Sequence, residues 1–217
     1  TMESYGYIQQ ERNSRNYTVG KRMYGIGWQL TNRYSLRETA KPYLNRLAEQ
    51  TGECAHIGVY SAGKALVTDD VQPETSLLRV VGTSGRLIGL HNTAVGKSLI
   101  AFGDFPLPEE LPQFTPKTIT DIQALIPHLE TIRQQGYALD DEENEPGVRC
   151  IGVPVYDEVG ITVATIGISG PTIRITPRNL ADFVEILWQS ARELSRDLGY
   201  DGEFPFPRTV QPQASPY

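Results

Sequence analysis

The chain has 217 residues, of which 39% are hydrophobic and 21% charged, and its formal net charge is −6. These values are ordinary for a folded protein and suit one domain of about 100 to 200 residues with a small appendage. No apolar run approaches the roughly 18 to 20 residues that a membrane-spanning helix needs, and the first residues lack a signal-peptide pattern. We therefore expect a cytoplasmic protein without membrane contact.

The charge is unevenly distributed along the chain. Residues 1–35 contain five basic and two acidic side chains, a net charge of +3, so the remaining residues carry −9. Because nucleic-acid affinity comes largely from neutralising phosphates, the acidic body is a poor candidate for contacting DNA. Any DNA contact is expected at Arg12 and Arg15, which lie in a polar turn between two short strand-like runs. This pattern predicts an N-terminal β-hairpin with a basic tip.

The remaining elements are strand-like runs and helices without a regular βαβ order. Strands are expected at 54–60, 65–71, 77–81, 87–90, 137–139, 149–156 and 161–169. Helices are expected at 21–33, from Ser35 to Gly52, at 93–102, from Asp121 to Gly136, and from an N-cap at Thr176 to Leu198. The proline-rich residues 200–217 are expected to form a flexible tail. The order predicts an α+β domain, mainly an antiparallel sheet flanked by helices.

One long segment carries a family resemblance. It reads GYALDDEENEPGVRC from Gly136, continues as IGVPVYD and ends in IGISGP at Pro171. This segment closely resembles the signature of the effector domain of IclR-type bacterial transcriptional regulators. HNTAVGKSLIA at residues 91–101 is similar to a second family segment, and Gly6-Tyr-Ile with Tyr17-Thr-Val-Gly20 resembles the end of the family's DNA-binding wing. The resemblance covers residues 5–198.

The resemblance implies a domain organisation. Residues 1–20 would be the wing remnant of a winged helix-turn-helix domain, 21–34 a linker helix, and 35–199 a GAF-like effector-binding domain. It also implies a homodimer that can pair into a tetramer. The recognition helix that precedes the wing in complete family members is not in the sequence, so we interpret the chain as a fragment whose DNA-reading head is absent.

The resemblance further implies a site for a small effector, either an organic acid or an aromatic metabolite. A carboxylate would meet the first backbone N–H groups of the helix at residue 94, with Asp140 accepting from an effector hydroxyl and Ser169 offering its own. Some family members carry serine at the position that matches Gly167. The glycine here removes one polar contact, which favours an effector larger or less polar than a two-carbon acid. The implied residues are Thr93, Ala94, Val95, Asp140, Cys150, Gly167 and Ser169. The simpler alternative is a helix cap above an apolar first turn.

Other chemistry is poorly supported by the sequence. Gly96-Lys97-Ser98 lacks the earlier glycine of a phosphate loop, and the run Asp140–Glu143 is expected to be solvated apart from its first residue. The three histidines lack ligand spacing, so neither a metal nor a cofactor is expected. Cys150 is expected to line the site as a buried thiol. Two alternatives stay open: a GAF-like thiol-dependent enzyme that uses Cys150 with Cys54, and an oligomerisation module with a vestigial cavity.

Overall fold

The computed structural model describes residues 2–10, 14, 16–23, 36–73, 80 and 82–204. The chain forms two compact units, Thr1–Thr39 and Ala40–Tyr217. Several predicted features lie outside the described residues: the basic tip residues Arg12 and Arg15, most of the linker helix, nearly all of the strand at 77–81, and the tail from residue 205. Within the described part, no helix is both long enough and apolar enough to span a membrane.

The N-terminal unit contains a two-stranded antiparallel hairpin. Strands β1 (Ile8–Gln10) and β2 (Tyr17–Val19) pair with Ile8 opposite Val19. The N–H of Gly20 donates to the Tyr7 carbonyl at 2.7 Å, and a Cβ on Gly20 would lie only 2.2 Å from a carbonyl oxygen. The predicted hairpin is confirmed. Residues 21–23 are helical, at the start of the predicted linker helix.

The larger unit is built on a six-stranded antiparallel sheet with the order β5-β4-β3-β8-β7-β6. The strands are β3 (Cys54–Ser61), β4 (Lys64–Val71), β5 (Leu87–Ile88), β6 (Ala138–Asp141), β7 (Val148–Tyr156) and β8 (Thr162–Pro171). The helices of the described part are α1 (Leu36–Thr51), α2 (Ala94–Phe102), α3 (Ile122–Gln135) and α4 (Leu180–Asp197). An antiparallel sheet with flanking helices confirms the predicted α+β class.

Local sequence explains several element boundaries. Ala62 and Gly63 both have positive φ angles, 45° and 79°, as the two-residue turn between β3 and β4 requires. Helix α3 begins after Asp121, whose carboxylate accepts from the Gln123 N–H at 3.1 Å. It ends at Gly136, which adopts the left-handed conformation with φ 82°. Both ends of α3 are where the sequence predicts them.

The start of α4 differs from the prediction. Thr176 is not its N-cap, because the helix begins four residues later, at Leu180. The Asn179 side chain accepts from the N–H of Thr176 at 2.7 Å and from its hydroxyl at 2.9 Å, and it donates to the Arg174 carbonyl at 2.7 Å. These three bonds hold residues 174–179 in a turn, so the helix cannot start at Pro177.

One face of the sheet carries the aliphatic core. Helix α4 packs against β7 and β8 and buries an apolar stripe that includes Trp188. The Trp188 indole N–H also donates to the Gly136 carbonyl at 3.0 Å, at the entry to β6. Alternate strand residues supply the buried aliphatic side chains of this face: Ala55, Ile57, Ile151, Val153, Ile166 and Ile168. This core fixes β7 and β8, the strands that carry three of the seven predicted site residues.

The opposite face is covered by α2, with α3 packed against that helix. Their shared core consists of Ala65, Leu90, Val95, Leu99, Ile100, Ala101, Leu125, Leu129, Ile132 and Ala138. Each residue of α2 from Ala94 to Ala101 is buried, which leaves this short helix between the sheet and α3. The N-terminus of α2 is therefore enclosed by protein.

Candidate functional site

The N-terminus of α2 presents two backbone donors that lack acceptors. The Thr93 hydroxyl accepts from the Gly96 N–H at 3.0 Å and donates to the Gly89 carbonyl at 2.6 Å, which caps the helix. The first N–H groups of an α-helix have no intrahelical partner. Among the described residues, the N–H groups of Ala94 and Val95 meet no hydrogen-bond acceptor, although both residues are buried. The helix start therefore offers two N–H donors and the positive end of its dipole.

Two glycines bring this helix start close to the sheet. A Cβ on Gly58 of β3 would lie 2.7 Å from Val95 Cγ1, and one on Gly152 of β7 would lie 2.9 Å from the Ala94 carbonyl oxygen. Any larger residue at either position would push α2 away. The first turn of α2 consequently lies directly over the centre of the sheet.

Polar side chains form a row on the sheet face beneath α2. Asp140 on β6 is opposite Cys150 on β7, which is opposite Ser169 on β8, which is opposite Cys54 on β3. Directly paired residues on neighbouring strands point to the same face. Because Cys150 is two residues from Gly152, this face is the one that α2 covers. The Ser169 hydroxyl donates to Cys150 Sγ at 3.0 Å, which joins the two central members of the row.

Asp140 is the carboxyl group of the row, and its pKa is strongly raised. Its Oδ1 atom accepts from the N–H groups of Glu143 at 2.8 Å and Asn144 at 3.3 Å. Burial raises its pKa from 3.8 to about 7, although the positive charge of Lys97 opposes that change. Near neutral pH, Asp140 is therefore present in both protonation states and can donate or accept a hydrogen bond.

His56 of β3 joins the row, although no sequence pattern predicts a histidine there. Its Nδ1 atom is 3.5 Å from Ser169 Oγ, and a Cβ on Gly167 would lie 2.9 Å from its Nε2. Burial lowers the pKa of His56 to about 4, so the ring is neutral at physiological pH. The missing side chain at Gly167 thus makes room for the imidazole. Only the pairing of β3 with β8 could reveal the contact between His56 and Ser169, since 113 residues separate them.

Lys97 and Glu143 form a buried ion pair beside Asp140. Lys97 is fully buried; its ammonium group donates to Glu143 Oε1 and to the Leu139 carbonyl at 2.5 Å, and lies 3.3 Å from His128 Nε2. Glu143 is only 7% exposed. The expectation that the acidic run is solvated beyond Asp140 is therefore wrong for Glu143, because Lys97 neutralises it inside the protein. A lone lysine in an otherwise apolar helix was the available sequence signal.

Side-chain hydrogen bonds connect the turn after Asp140 to the rest of the site. The Asn92 amide donates to Asn144 Oδ1 at 2.9 Å. The Thr118 hydroxyl donates to the Glu143 carbonyl at 2.6 Å, and the Thr115 hydroxyl donates to the Glu142 carbonyl at 2.7 Å. These bonds connect the turn both to the start of α2 and to the segment before α3.

All seven residues that the resemblance implies lie either at the start of α2 or on the sheet face beneath it: Thr93, Ala94, Val95, Asp140, Cys150, Gly167 and Ser169. A surface cavity of about 490 Å³ lies elsewhere, between α1 and the end of β4, and none of the seven lines it. In the described ranges, no three His, Cys, Asp or Glu side chains are grouped so that they could hold a metal ion.

The Cys150 thiol is poorly suited to nucleophilic chemistry. Its contact with Ser169, which in turn lies near His56, resembles a relay between a thiol and a base. Burial, reinforced by the neighbouring Asp140, raises the pKa of Cys150 well above its ordinary value. Because the thiolate is the reactive form, a thiol that stays protonated at neutral pH is a weak nucleophile.

Comparison with known proteins identifies relatives of this fold and sequence. A family profile described as "Bacterial transcriptional regulator IclR C-terminal" matches residues 28–196. The HTH-type transcriptional regulator KdgR of Escherichia coli is 32% identical over 212 residues, which cover 95% of this chain and 80% of KdgR. The solved structure of Thermotoga maritima IclR is 33% identical, with a TM-score of 0.71, over 92% of this chain and 82% of the other.

A third relative was solved with a ligand. The inducer binding domain of the PobR transcription factor from Acinetobacter, a double mutant in complex with 3-hydroxybenzoic acid, is 30% identical. The match has a TM-score of 0.67 and covers 73% of this chain and 96% of that domain. The relatives are named as transcriptional regulators. The chain belongs to the IclR family of bacterial transcriptional regulators and contains the family's C-terminal effector-binding domain.

Proposed function

We propose that this domain binds a small organic acid or aromatic metabolite between the start of α2 and the polar row of the sheet. The N–H groups of Ala94 and Val95 receive the effector's acidic group, with Thr93 holding the helix end in place. Asp140 and Ser169 bind further polar groups of the effector, while Cys150 and Gly167 line the site.

The observation that carries this proposal is the pair of buried N–H groups at Ala94 and Val95 without acceptors. Buried backbone donors are almost always paired, so two at one helix start point to a ligand that accepts from them. The partial positive charge of a helix N-terminus favours an anion there. A plain helix cap, the simpler alternative, leaves these donors unexplained.

The electrostatics of the site suit an acid bound by backbone dipoles. The nearest cation, Lys97, is already paired with Glu143, and His56 is neutral at physiological pH. An ionised Asp140 would repel an effector carboxylate, whereas protonated Asp140 can donate a hydrogen bond to it. Binding of an acid should therefore be accompanied by proton uptake at Asp140.

Regulation follows if the effector favours one assembly over another. A ligand shifts an equilibrium only by the difference in its affinity for the two states. In this proposal the protein is a cytoplasmic homodimer that can form tetramers, and the linker helix at 21–34 is oriented differently in the two states. DNA is read by winged-helix heads, to which residues 1–20 contribute the wing and Arg12 and Arg15 the phosphate contacts. The PobR inducer binding domain, with its bound hydroxybenzoic acid, supports a sensory role.

The test is a calorimetric screen of small aliphatic and aromatic acids against the purified chain. We expect at least one acid to bind, and we expect Asp140→Ala and Ser169→Ala to weaken its binding about tenfold, the worth of one hydrogen bond. Asp141→Ala is the matched control, because Asp141 follows on the same strand, points to the other face and pairs with Arg149. Binding that is unchanged in both Asp140→Ala and Ser169→Ala would refute the site.

Light scattering with and without the binding acid tests the regulatory step. A change in mass or in the dimer–tetramer equilibrium is expected. An unchanged assembly at saturating acid would contradict control through oligomer geometry.

A further inference from the structure

Two buried acceptors beside the proposed effector site have no donor. Glu143 Oε1 accepts from Lys97, but Glu143 Oε2 meets no hydrogen-bond donor in the described part of the chain. The same holds for Asn92 Oδ1, whose residue is fully buried. A buried acceptor without a donor costs the desolvation of that atom, and more when the group is charged. Such atoms point to a missing hydrogen-bond donor.

Both acceptors belong to residues that border the effector site. Asn92 immediately precedes Thr93, the cap of α2, and its amide holds Asn144. The Glu143 N–H donates to Asp140, and the negative charge of Glu143 contributes to the raised pKa of Asp140. One orphan oxygen thus belongs to the residue before the helix cap, and the other to a residue whose N–H binds the Asp140 carboxyl group.

The unpaired hydrogen-bonding groups at the site fall into donors and acceptors. The start of α2 supplies donors, which suit the carboxylate of an effector. Asn92, just before the helix cap, and Glu143, in the turn after Asp140, supply acceptors, which suit hydroxyl groups. The Lys97–Glu143 ion pair holds Glu143 in place, so its second oxygen is a fixed and strong acceptor.

We propose that Glu143 and Asn92 are specificity-determining residues that accept hydrogen bonds from effector hydroxyl groups, so that the effector is a hydroxylated organic acid. This inference rests on the proposed acid site at Ala94 and Val95. An acid without hydroxyl groups would leave both acceptors unpaired, and a site built to receive a hydroxyl group discriminates strongly against an analogue that lacks it.

The test compares matched acids with and without hydroxyl groups. The wild-type chain is titrated calorimetrically with gluconate and hexanoate, glycerate and propanoate, and 4-hydroxybenzoate and benzoate. The hydroxylated member of at least one pair is expected to bind about tenfold or more tightly than its partner, the worth of one hydrogen bond to a charged acceptor. Equal binding within every pair would overturn the proposal and leave the two oxygens satisfied by resident water only.

Glu143→Gln tests the residue itself. The amide keeps one oxygen for Lys97 but replaces the second oxygen with an N–H donor, so the preference for the hydroxylated acid should fall at least tenfold while binding of the deoxy acid stays unchanged. Glu142→Gln is the control, because Glu142 is the preceding carboxylate and pairs with the exposed Lys117. If Glu143→Gln does not fold, the double variant Lys97→Met/Glu143→Gln removes the unpaired charge and serves instead.

The outcomes separate this inference from the proposed function. If no acid binds, or if binding does not depend on Asp140 and Ser169, the acid site itself fails and this inference fails with it. If acids bind at that site but Glu143→Gln keeps the full preference for the hydroxylated member, only the role of Glu143 is refuted.

Discussion

Ser169 and Cys150 lie directly opposite each other on neighbouring strands, and the Ser169 hydroxyl is 3.0 Å from the Cys150 sulfur. Burial raises the pKa of Cys150 well above its ordinary value and raises the pKa of Cys54 to about 12. Both thiols consequently stay protonated at neutral pH. In this arrangement Cys150 packs beneath α2 and its sulfur accepts weakly from Ser169, which does not suit attack on a substrate.

The two thiols should be nearly inert in the folded protein. Cys54 and Cys150 are the only cysteines of the chain, so titration with a chromogenic disulfide reagent reports on them alone. At pH 7.5 we expect labelling about a hundredfold or more slower in buffer than in denaturing urea, since only the thiolate reacts. Rapid labelling of native Cys150, located by peptide mass spectrometry, would contradict this prediction and revive a thiol-dependent enzyme.

Removing the Thr93 cap should weaken both folding and effector binding. Thr93→Val eliminates the hydroxyl that caps Gly96 and is expected to cost about 1 to 2 kcal/mol of unfolding free energy. Asp121→Ala is the matched control, because it removes the cap of α3 away from the site and should cost about 1 kcal/mol. Urea denaturation measures stability and calorimetry measures acid binding.

Only Thr93→Val should also reduce the affinity for the acid, and Thr93→Ser should restore it. Equal loss of affinity in Asp121→Ala would mean that the effect is one of general stability.

The Lys97–Glu143 pair should be far more costly to break than its exposed neighbour. Lys97→Met leaves the Glu143 carboxylate buried and unpaired, which is expected to cost about 3 to 5 kcal/mol. Lys117→Met breaks exposed pairs with Asp141 and Glu142 in the same turn and should cost about 1 kcal/mol or less. Chemical denaturation of both variants checks this. The double variant Lys97→Met/Glu143→Gln should recover most of the loss, and no recovery would argue against a burial penalty.

Asp140 should give stability a distinctive pH dependence. The unfolded chain releases this proton near pH 3.8, whereas the folded protein keeps it to about pH 7. Between these values the folded state binds more protons, so the contribution of Asp140 to unfolding free energy falls as pH rises and is level above about pH 7. Relative to Asp140→Asn, the wild type should lose stability on the order of 4 kcal/mol across this window.

Urea titrations at several pH values from 4.5 to 7.5 measure the difference between the two proteins. Asp141→Asn should show no such pH-dependent gap. A constant difference between wild type and Asp140→Asn would mean that Asp140 titrates normally.

Features set by neighbouring residues were predictable from the sequence. The caps of α3 follow from Asp121 and Gly136, and the β3–β4 turn follows from its glycine, because each depends on a few adjacent residues. The start of α4 was predicted wrongly because the Thr176 hydroxyl donates to the Asn179 side chain instead of capping a helix, and the sequence pattern does not distinguish these two uses of the hydroxyl.

Some residues of the site were predicted and others were missed, because contacts between residues far apart in sequence leave no local pattern. A family resemblance supplied Thr93 to Val95 together with Asp140, Cys150, Gly167 and Ser169, and the structure brings these residues together. His56, Asn92 and the Lys97–Glu143 pair act across 46 or more residues of sequence, so their partners emerge only when the strands are paired. Burial of a charged residue in particular depends on the whole fold.

The alternation of β7 has an evolutionary consequence. Cys150 and Gly152 face α2, while Ile151 and Val153, between and beyond them, face the aliphatic core. If effector binds at the proposed site, exchanges at Cys150 or Ser169 would therefore alter which molecule is recognised while the residues that keep the sheet folded remain untouched. A descendant of this protein could acquire a new signal through single substitutions on one side of the sheet, with little risk to its folding.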